Sequence, residues 1–212
     1  MENYTHIIWD FNGTLYDDVE VCLSCGRRLM RAHGLEPIGS LDEYRAIFGF
    51  PIIDYYARMG FDFEKTPYAE LAVEWVAYYN EESTSAELAA GAREVLSVIK
   101  SRGIPQLVLS ATEQRMLEGQ IAALGIAGYF DALLGQSDIH AHGKLAIARM
   151  WRAQNPDAAP LLIGDTDHDA AVAEAIGADC ILLASGHQSR DTLLRCNPLL
   201  VLDSLHDFLK QF

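Results

Sequence analysis

Ile7-Ile8-Trp9-Asp10-Phe11-Asn12-Gly13-Thr14-Leu15 runs an apolar stretch into an acid and then into a Gly-Thr turn. The apolar run reads as a short buried strand. Asp10 then lies at the carboxyl end of that strand, where open parallel sheets gather their ligands. Gly13 lets the chain leave the strand sharply. A carboxylate at such a point can bind a hard cation, attack phosphorus, or do both. Taken alone, it can equally be an acid that caps the next helix.

Three later stretches bear on that choice. Val108-Leu109-Ser110 ends a second strand in a hydroxyl, and Gly143-Lys144 opens a helix with an ammonium. Leu161-Leu162-Ile163-Gly164-Asp165-Thr166-Asp167-His168-Asp169 ends another strand in an acidic cluster. A lysine is disfavoured at a helix N-terminus by the dipole, so Lys144 points to a local partner. Asp165 and Asp169, four residues apart, can share one side of a strand-to-helix turn, and their like charges are unfavourable unless a cation offsets them. Nucleophile, hydroxyl, lysine and acid pair, in this order and spacing, resemble the haloacid dehalogenase (HAD) superfamily of phosphohydrolases over nearly the whole chain.

The resemblance implies a set of roles. Asp10 attacks the phosphoryl group and forms an aspartyl-phosphate, splitting one hard displacement into two easier ones. Magnesium is held by Asp10, the backbone carbonyl of Asn12 and Asp165, because a dianionic phosphate repels a bare carboxylate. Ser110 and the amide of Ala111 bind phosphate oxygens. Lys144 neutralises developing charge and holds Asp10 in place. Asp169 orients Lys144 or a metal-bound water, with Thr14 in support. Asp167 and His168 are expected to face solvent, and His140 and His142 to be polar loop histidines.

The remainder of the chain fits an α/β core with an inserted helical segment. After Leu15, a helical pattern runs to about His33, with Gly34 as a stop. Ser40-Leu41-Asp42-Glu43 has the form of a capping box, opening a helix to about Phe48. Pro51 and Thr66-Pro67 open two more. From about Glu87, helices and strands alternate: helix to Arg102, strand Pro105 to Leu109, helix Glu113 to Leu124, strand Phe130 to Leu134, helix Lys144 to Ala153. Strand Pro160 to Ile163, helix Asp169 to Ile176, strands Cys180 to Leu183 and Leu199 to Leu202, and a terminal helix from Ser204 complete it. Such alternation predicts a Rossmann-like three-layer core with a parallel sheet covered on both faces. The expected division is 1–16 plus 86–212 as the α/β core and 17–85 as an all-helical cap domain. This placement is similar to phosphoglycolate-phosphatase-like members of the superfamily, in which a helical cap closes over the site. Arg45, Phe50, Tyr55 and Arg58 are the cap residues expected to offer themselves to a substrate.

Composition bounds the partners. With 212 residues, half of them hydrophobic, the chain can bury a large core, and its formal net charge of -14 argues against nucleic acid or an anionic membrane. A small phosphorylated metabolite remains compatible, because a metal and a few cations can reverse the potential of one cleft. A monomer or homodimer is expected. Cys22, Cys25, Cys180 and Cys196 form no second paired motif, and with no leader in sight they fit reduced thiols in a cytoplasm. No apolar stretch is long enough to span a bilayer.

Asn12 departs from the superfamily pattern, in which the residue two after the nucleophile is an Asp that protonates the leaving oxygen and then activates water. An amide cannot donate and recover a proton at neutral pH. Loss of a general acid–base costs about a hundred- to ten-thousandfold in rate. Four consequences stand open: preference for good leaving groups, supply of the proton by a cap group or Asp17, a persistent aspartyl-phosphate, or a weak enzyme that binds phospho-ligands for regulation. A haloacid dehalogenase shares the nucleophile without a metal, but would leave the charge at Asp165 and Asp169 without an offset.

Overall fold

The computed structural model describes residues 3–137 and 143–211. In chain order its strands are β1 (His6–Trp9), β2 (Tyr16–Asp17), β3 (Glu87–Leu88), β4 (Gln106–Glu113), β5 (Ala132–Gln136), β6 (Pro160–Gly164), β7 (Asp179–Leu183) and β8 (Leu200–Leu202). The helices are α1 (Val19–Ala32), α2 (Leu41–Ile47), α3 (Ile52–Arg58), α4 (Tyr68–Glu82), α5 (Ala92–Ser101), α6 (Gln114–Ala123), α7 (Leu145–Gln154), α8 (Asp167–Ile176), α9 (Arg190–Arg195) and α10 (Leu205–Gln211).

Six strands form one sheet in the order β5-β4-β1-β6-β7-β8, all parallel. Successive side chains on a strand point to opposite faces, and β1 shows what this requires of the sequence. Ile7 and Trp9 enter one core with Val95, Ile99, Leu117 and Phe208; Ile8 enters the other with Ala148, Val172 and Leu193. Both faces are covered by helices, so β1 is apolar without interruption. The first core continues into the helical insert through Leu23, Tyr44, Leu71 and Tyr79. This is the Rossmann-like α/β fold. Among the described residues, no helix is long and apolar enough to cross a membrane.

Helices α1 to α4 all lie between β2 and β3, which pair antiparallel, Tyr16 with Leu88 and Asp17 with Glu87. The entry and exit of the insert therefore run side by side. This corrects the expectation of a helix from Glu87. Leu88 is held by Tyr16, and α5 begins only after Gly91, at φ +84°. The Tyr16 hydroxyl also donates to the carbonyl of Ser83, fastening the same junction.

Local signals carry the insert. Ser40 accepts from the backbone N–H of Glu43, and the Glu43 carboxylate accepts from the N–H of Ser40, a complete capping box at α2. Strand β4 runs past its expected end at Leu109 to Glu113, with a register irregularity between the two. That irregularity carries Ser110, Ala111 and Thr112 beyond the regular ladder. Helix α8 starts at Asp167, earlier than expected, because Thr166 is its N-cap and Asp169 closes a capping box from its third position. The six-residue α9, opened by Ser189, has too short a periodic pattern to show in sequence.

Candidate active site

β1, β4 and β6 are neighbours in the sheet, and their carboxyl ends deliver Asp10, Ser110 and Asp165 to one crevice. Asp10 follows β1 directly, and its backbone N–H donates to the carbonyl of Ile163 (2.8 Å). Carboxylate oxygens of Asp10, Asp165 and Asp169 all lie within 4.8 Å of one another. Lys144, at the N-cap of α7, is buried among them. Its ammonium donates to Asp10 and to the Leu109 carbonyl (3.1 Å) and pairs with Asp169 at 2.5 Å. That partner explains how a lysine tolerates a helix N-terminus.

Asp169 has further support. One of its oxygens accepts from the N–H of Asp165 (3.2 Å), the N–H of Thr166 (3.0 Å) and the Thr166 hydroxyl (2.7 Å). Asp165 accepts from the Thr14 hydroxyl (3.2 Å) and from the N–H of His187 (2.6 Å). Two turns approach it closely. A Cβ on Gly13 would come to 2.3 Å from the Asp165 carboxylate, and one on Gly186 to 2.2 Å. Ser110 is buried and its hydroxyl accepts from the N–H of Thr112 (3.1 Å). Ser110 and Ala111 both line the cavity above Asp10.

The electrostatics are lopsided, with three buried carboxylates facing one ammonium. Burial pushes Asp10 well above the ordinary carboxylate range, with repulsion from Asp169 and Asp165 adding to it against the pull of Lys144. Burial and the neighbouring Asp169 push Asp165 up to about 7. Asp169 stays below its ordinary value: burial raises it, but Lys144 and Thr166 outweigh that. Lys144 is raised, since Asp10 and Asp169 together overcome its burial. Lys144 thus settles Asp169, while ionisation of both Asp10 and Asp165 stays costly, a cost that a divalent cation would offset. The donor set, oxygens only, suits a hard ion such as magnesium.

Asn12 sits at the rim of this cluster with its amide fully engaged. Its Nδ2 donates to Asp18 (2.6 Å) and to the Tyr79 hydroxyl (2.9 Å), and its Oδ1 accepts from the Thr112 hydroxyl (2.7 Å). Asp18 is buried and also accepts from the N–H of Gly13 (3.0 Å) and from Tyr79 (2.6 Å), with the His187 ring 3.6 Å away. Burial raises its pKa, yet the bonds from His187, Tyr79 and Asn12 bring it below the ordinary value. Asp17, weighed above as a proton source, is exposed and pairs in β2.

A cavity of about 170 Å³ opens above Asp10 towards the insert. Phe50 and Tyr55 line it, whereas Arg45 and Arg58 do not. Arg45 and Arg58, candidates for substrate contact from the sequence, thus lie off this wall. Arg45 donates to the carbonyls of Gly186 (2.9 Å) and Ser185 (2.7 Å), and Arg58 to the carbonyl of Ile47 (2.6 Å). Arg45 thus commits two guanidinium nitrogens to backbone carbonyls, and Arg58 its Nε. His168, expected to face solvent, instead stacks on Phe50 at 4.6 Å and accepts from the N–H of Lys144 (3.2 Å). Asp167 is half-buried, bonded to Gln188. His140 and His142 lie outside the described residues.

Asp18, Tyr79, Thr112 and His187 were not singled out from sequence. For His187 a signal existed: Ala184-Ser185-Gly186-His187 follows β7 as a small-residue turn at a strand's carboxyl end, the same feature that marks Asp165. Asp18 stands eight residues after Asp10, close to Asp17, and only the fold shows which of the two turns inward.

Known proteins resemble this chain in sequence and in fold. The family model for haloacid dehalogenase-like hydrolases matches residues 7–183. The probable phosphatase IndB of Dickeya dadantii is 23% identical over 209 residues, covering 95% of this chain and 90% of that protein. The phosphoglycolate phosphatase of Rhodobacter capsulatus is 23% identical over 189 residues, covering 86% and 85%. A haloacid dehalogenase-like family hydrolase from Streptococcus pneumoniae superposes with a TM-score of 0.85 at 20% identity, over 100% of both chains.

Proposed function

We propose that this chain, which belongs to the haloacid dehalogenase-like hydrolase family, is a magnesium-dependent phosphatase of small phosphorylated metabolites that works through an aspartyl-phosphate on Asp10. The observation that carries this reading is the buried contact of Lys144 with both Asp10 and Asp169, with Asp165 alongside. The two curated relatives, named as phosphatases, support it.

Each residue has a derivable part. Asp10, at the end of a rigid strand, is held to one orientation by Lys144, so its free oxygen is preorganised for in-line attack on phosphorus. Ser110 and the Ala111 N–H take the phosphoryl oxygens, and Lys144 balances the charge that develops on them. Asp10, the Asn12 carbonyl and Asp165 would hold magnesium, which would supply the positive charge that offsets the phosphate. Asp169 keeps Lys144 in place, and Thr14 keeps Asp165 in place. Residues 17–85 act as a cap over the core of 1–16 and 86–212, and exclude water from the cavity. The net charge of -14 is unfavourable to nucleic acid or an anionic membrane as a partner, and a monomer or homodimer in a cytoplasm completes the reading.

Asn12 favours a second reading, a phospho-ligand-binding protein with residual turnover, because its locked amide supplies no proton. Hydrolysis of p-nitrophenyl phosphate separates the two. The phosphatase reading expects turnover with added magnesium that disappears in Asp10→Asn. Turnover that persists in Asp10→Asn, or none in the parent protein, contradicts it.

A further inference from the structure

We propose that the ester cleaved here is the phosphomonoester of an aromatic, phenol-like alcohol, and that carboxylate-bearing esters such as phosphoglycolate are poor substrates. This rests on the phosphatase reading above and names its substrate class. Two independent observations carry it.

The first is the wall of the cavity. On the side of the insert it is built by Phe48, Phe50, Ile52, Trp75 and Val76, with Met116 from α6. Among the described residues that line it, Lys144 is the one lysine or arginine, and its charge is already committed to Asp10 and Asp169. Arg45 and Arg58, the nearest candidates by sequence, are tied to backbone carbonyls. The two histidines that also line the cavity are engaged, His168 by the N–H of Lys144 and His187 by Tyr44 and Asp18, so a second anionic group on a substrate would meet rings and the carboxylates of Asp18 and Glu113. Burying an unpaired charge is strongly unfavourable. A flat apolar ring finds edge and face contacts throughout. The cavity, at about 170 Å³, holds on the order of ten water-sized groups.

The second is Asn12. Both hydrogens of its amide and its carbonyl oxygen are engaged, by Asp18, Tyr79 and Thr112. The position that would protonate the departing oxygen offers no acid. A departing oxygen that is stable as an anion needs none. A phenol ionises near pH ~10, whereas water, and an aliphatic alcohol with it, ionises near ~16. In the first step an Asp10 oxygen bonds to phosphorus, the phosphorus–oxygen bond to the ring breaks, and its electron pair leaves on the phenoxide, which takes a proton from solvent. In the second, water adds to phosphorus, loses a proton to solvent, and frees Asp10 and inorganic phosphate. Wall and amide thus select the same leaving group for unrelated reasons.

The test measures phosphate release by the full chain with magnesium from phenyl phosphate, cyclohexyl phosphate and 2-phosphoglycolate. The expected order is phenyl first, with kcat/KM about a hundredfold above phosphoglycolate, the range an apolar pocket can discriminate. Cyclohexyl phosphate should bind with a KM close to that of phenyl phosphate but turn over far more slowly. Val76→Arg, which places a cation on the wall, should shrink the phenyl-to-phosphoglycolate ratio. Phosphoglycolate cleaved as well as phenyl phosphate overturns the inference while leaving the phosphatase reading intact. Cyclohexyl phosphate turned over as fast as phenyl phosphate overturns the leaving-group part. Absence of release from all three by folded protein removes the phosphatase reading itself.

Discussion

The Asn12 amide nitrogen lies 2.6 Å from the buried carboxylate of Asp18, and the two form a donor–acceptor pair at the edge of the acidic cluster. The amide at position 12 is therefore matched to its surroundings. An acid there would face a second buried carboxylate across hydrogen-bond distance, and like charges so placed cannot both ionise without cost.

This pairing predicts a specific double-variant result. Asn12→Asp alone should lose stability, by about 1–3 kcal/mol for leaving a buried acceptor without its donor. Combining it with Asp18→Asn should recover most of that loss, because donor and acceptor are merely exchanged. The combined variant should also gain turnover on alkyl phosphates, by up to about a hundredfold. Urea unfolding and alkyl phosphate assays of the three proteins check this. A single variant as stable as the parent would refute the pairing.

Lys144 is buried and is the one ammonium among three carboxylates. Lys144→Met leaves Asp10 and Asp169 buried without a cation. The expected loss is about 3–5 kcal/mol of stability, with phosphatase activity reduced to background. Thermal unfolding that matches the parent would show that the ion cluster is not closed by this residue.

Gly13 and Gly34 form a controlled comparison. Both have positive φ, +71° and +72°. A Cβ at Gly34 meets nothing within 4 Å, whereas one at Gly13 meets the Asp165 carboxylate at 2.3 Å. Gly34→Ala should cost only the left-handed backbone term, about 1–2 kcal/mol. Gly13→Ala should cost more and should also weaken magnesium binding, because Asp165 must move. Equal effects of the two on magnesium affinity, read by calorimetry, would contradict the close approach.

Metal-free stability should depend on pH in a defined direction. The folded pKa of Asp165 is pushed up to about 7, from an ordinary 3.8. Between those values the folded state holds a proton that the unfolded state has released, so stability falls as pH rises. Above about 7 the full cost of the ionised, unpaired acid is present. Magnesium should therefore raise the melting temperature more at pH 8 than at pH 5. A magnesium effect independent of pH would show that Asp165 is not part of the site.

Much of this arrangement could be read before any coordinates. Ile7-Ile8-Trp9-Asp10 and Leu161-Leu162-Ile163-Gly164-Asp165 are continuous apolar runs that end in acids, and only adjacent, doubly covered parallel strands bring such ends together. What sequence could not show was facing. Asp17 and Asp18 are chemically alike, and the pairing of Tyr16–Asp17 with Glu87–Leu88 decides that Asp18 turns inward. Arg45 and Arg58 looked available for a ligand because the backbone carbonyls that engage them, Gly186 in the turn after β7 and Ile47 at the last residue of α2, are brought to them by tertiary packing. The late start of α5, at Ala92 instead of Glu87, has the same cause, a local preference overridden by a partner seventy residues away in sequence.

Attack of Asp10 on phosphorus is tested most directly by acid-quench mass spectrometry after mixing with p-nitrophenyl phosphate and magnesium. Because Asn12 supplies no base to activate water, the phosphorylated enzyme should accumulate, with one phosphoryl group on the peptide that contains Asp10 and an initial burst of nitrophenol. Both should vanish without magnesium and in Asp10→Asn. Steady turnover with no phosphoryl group on that peptide, or with the label on another residue, would contradict it.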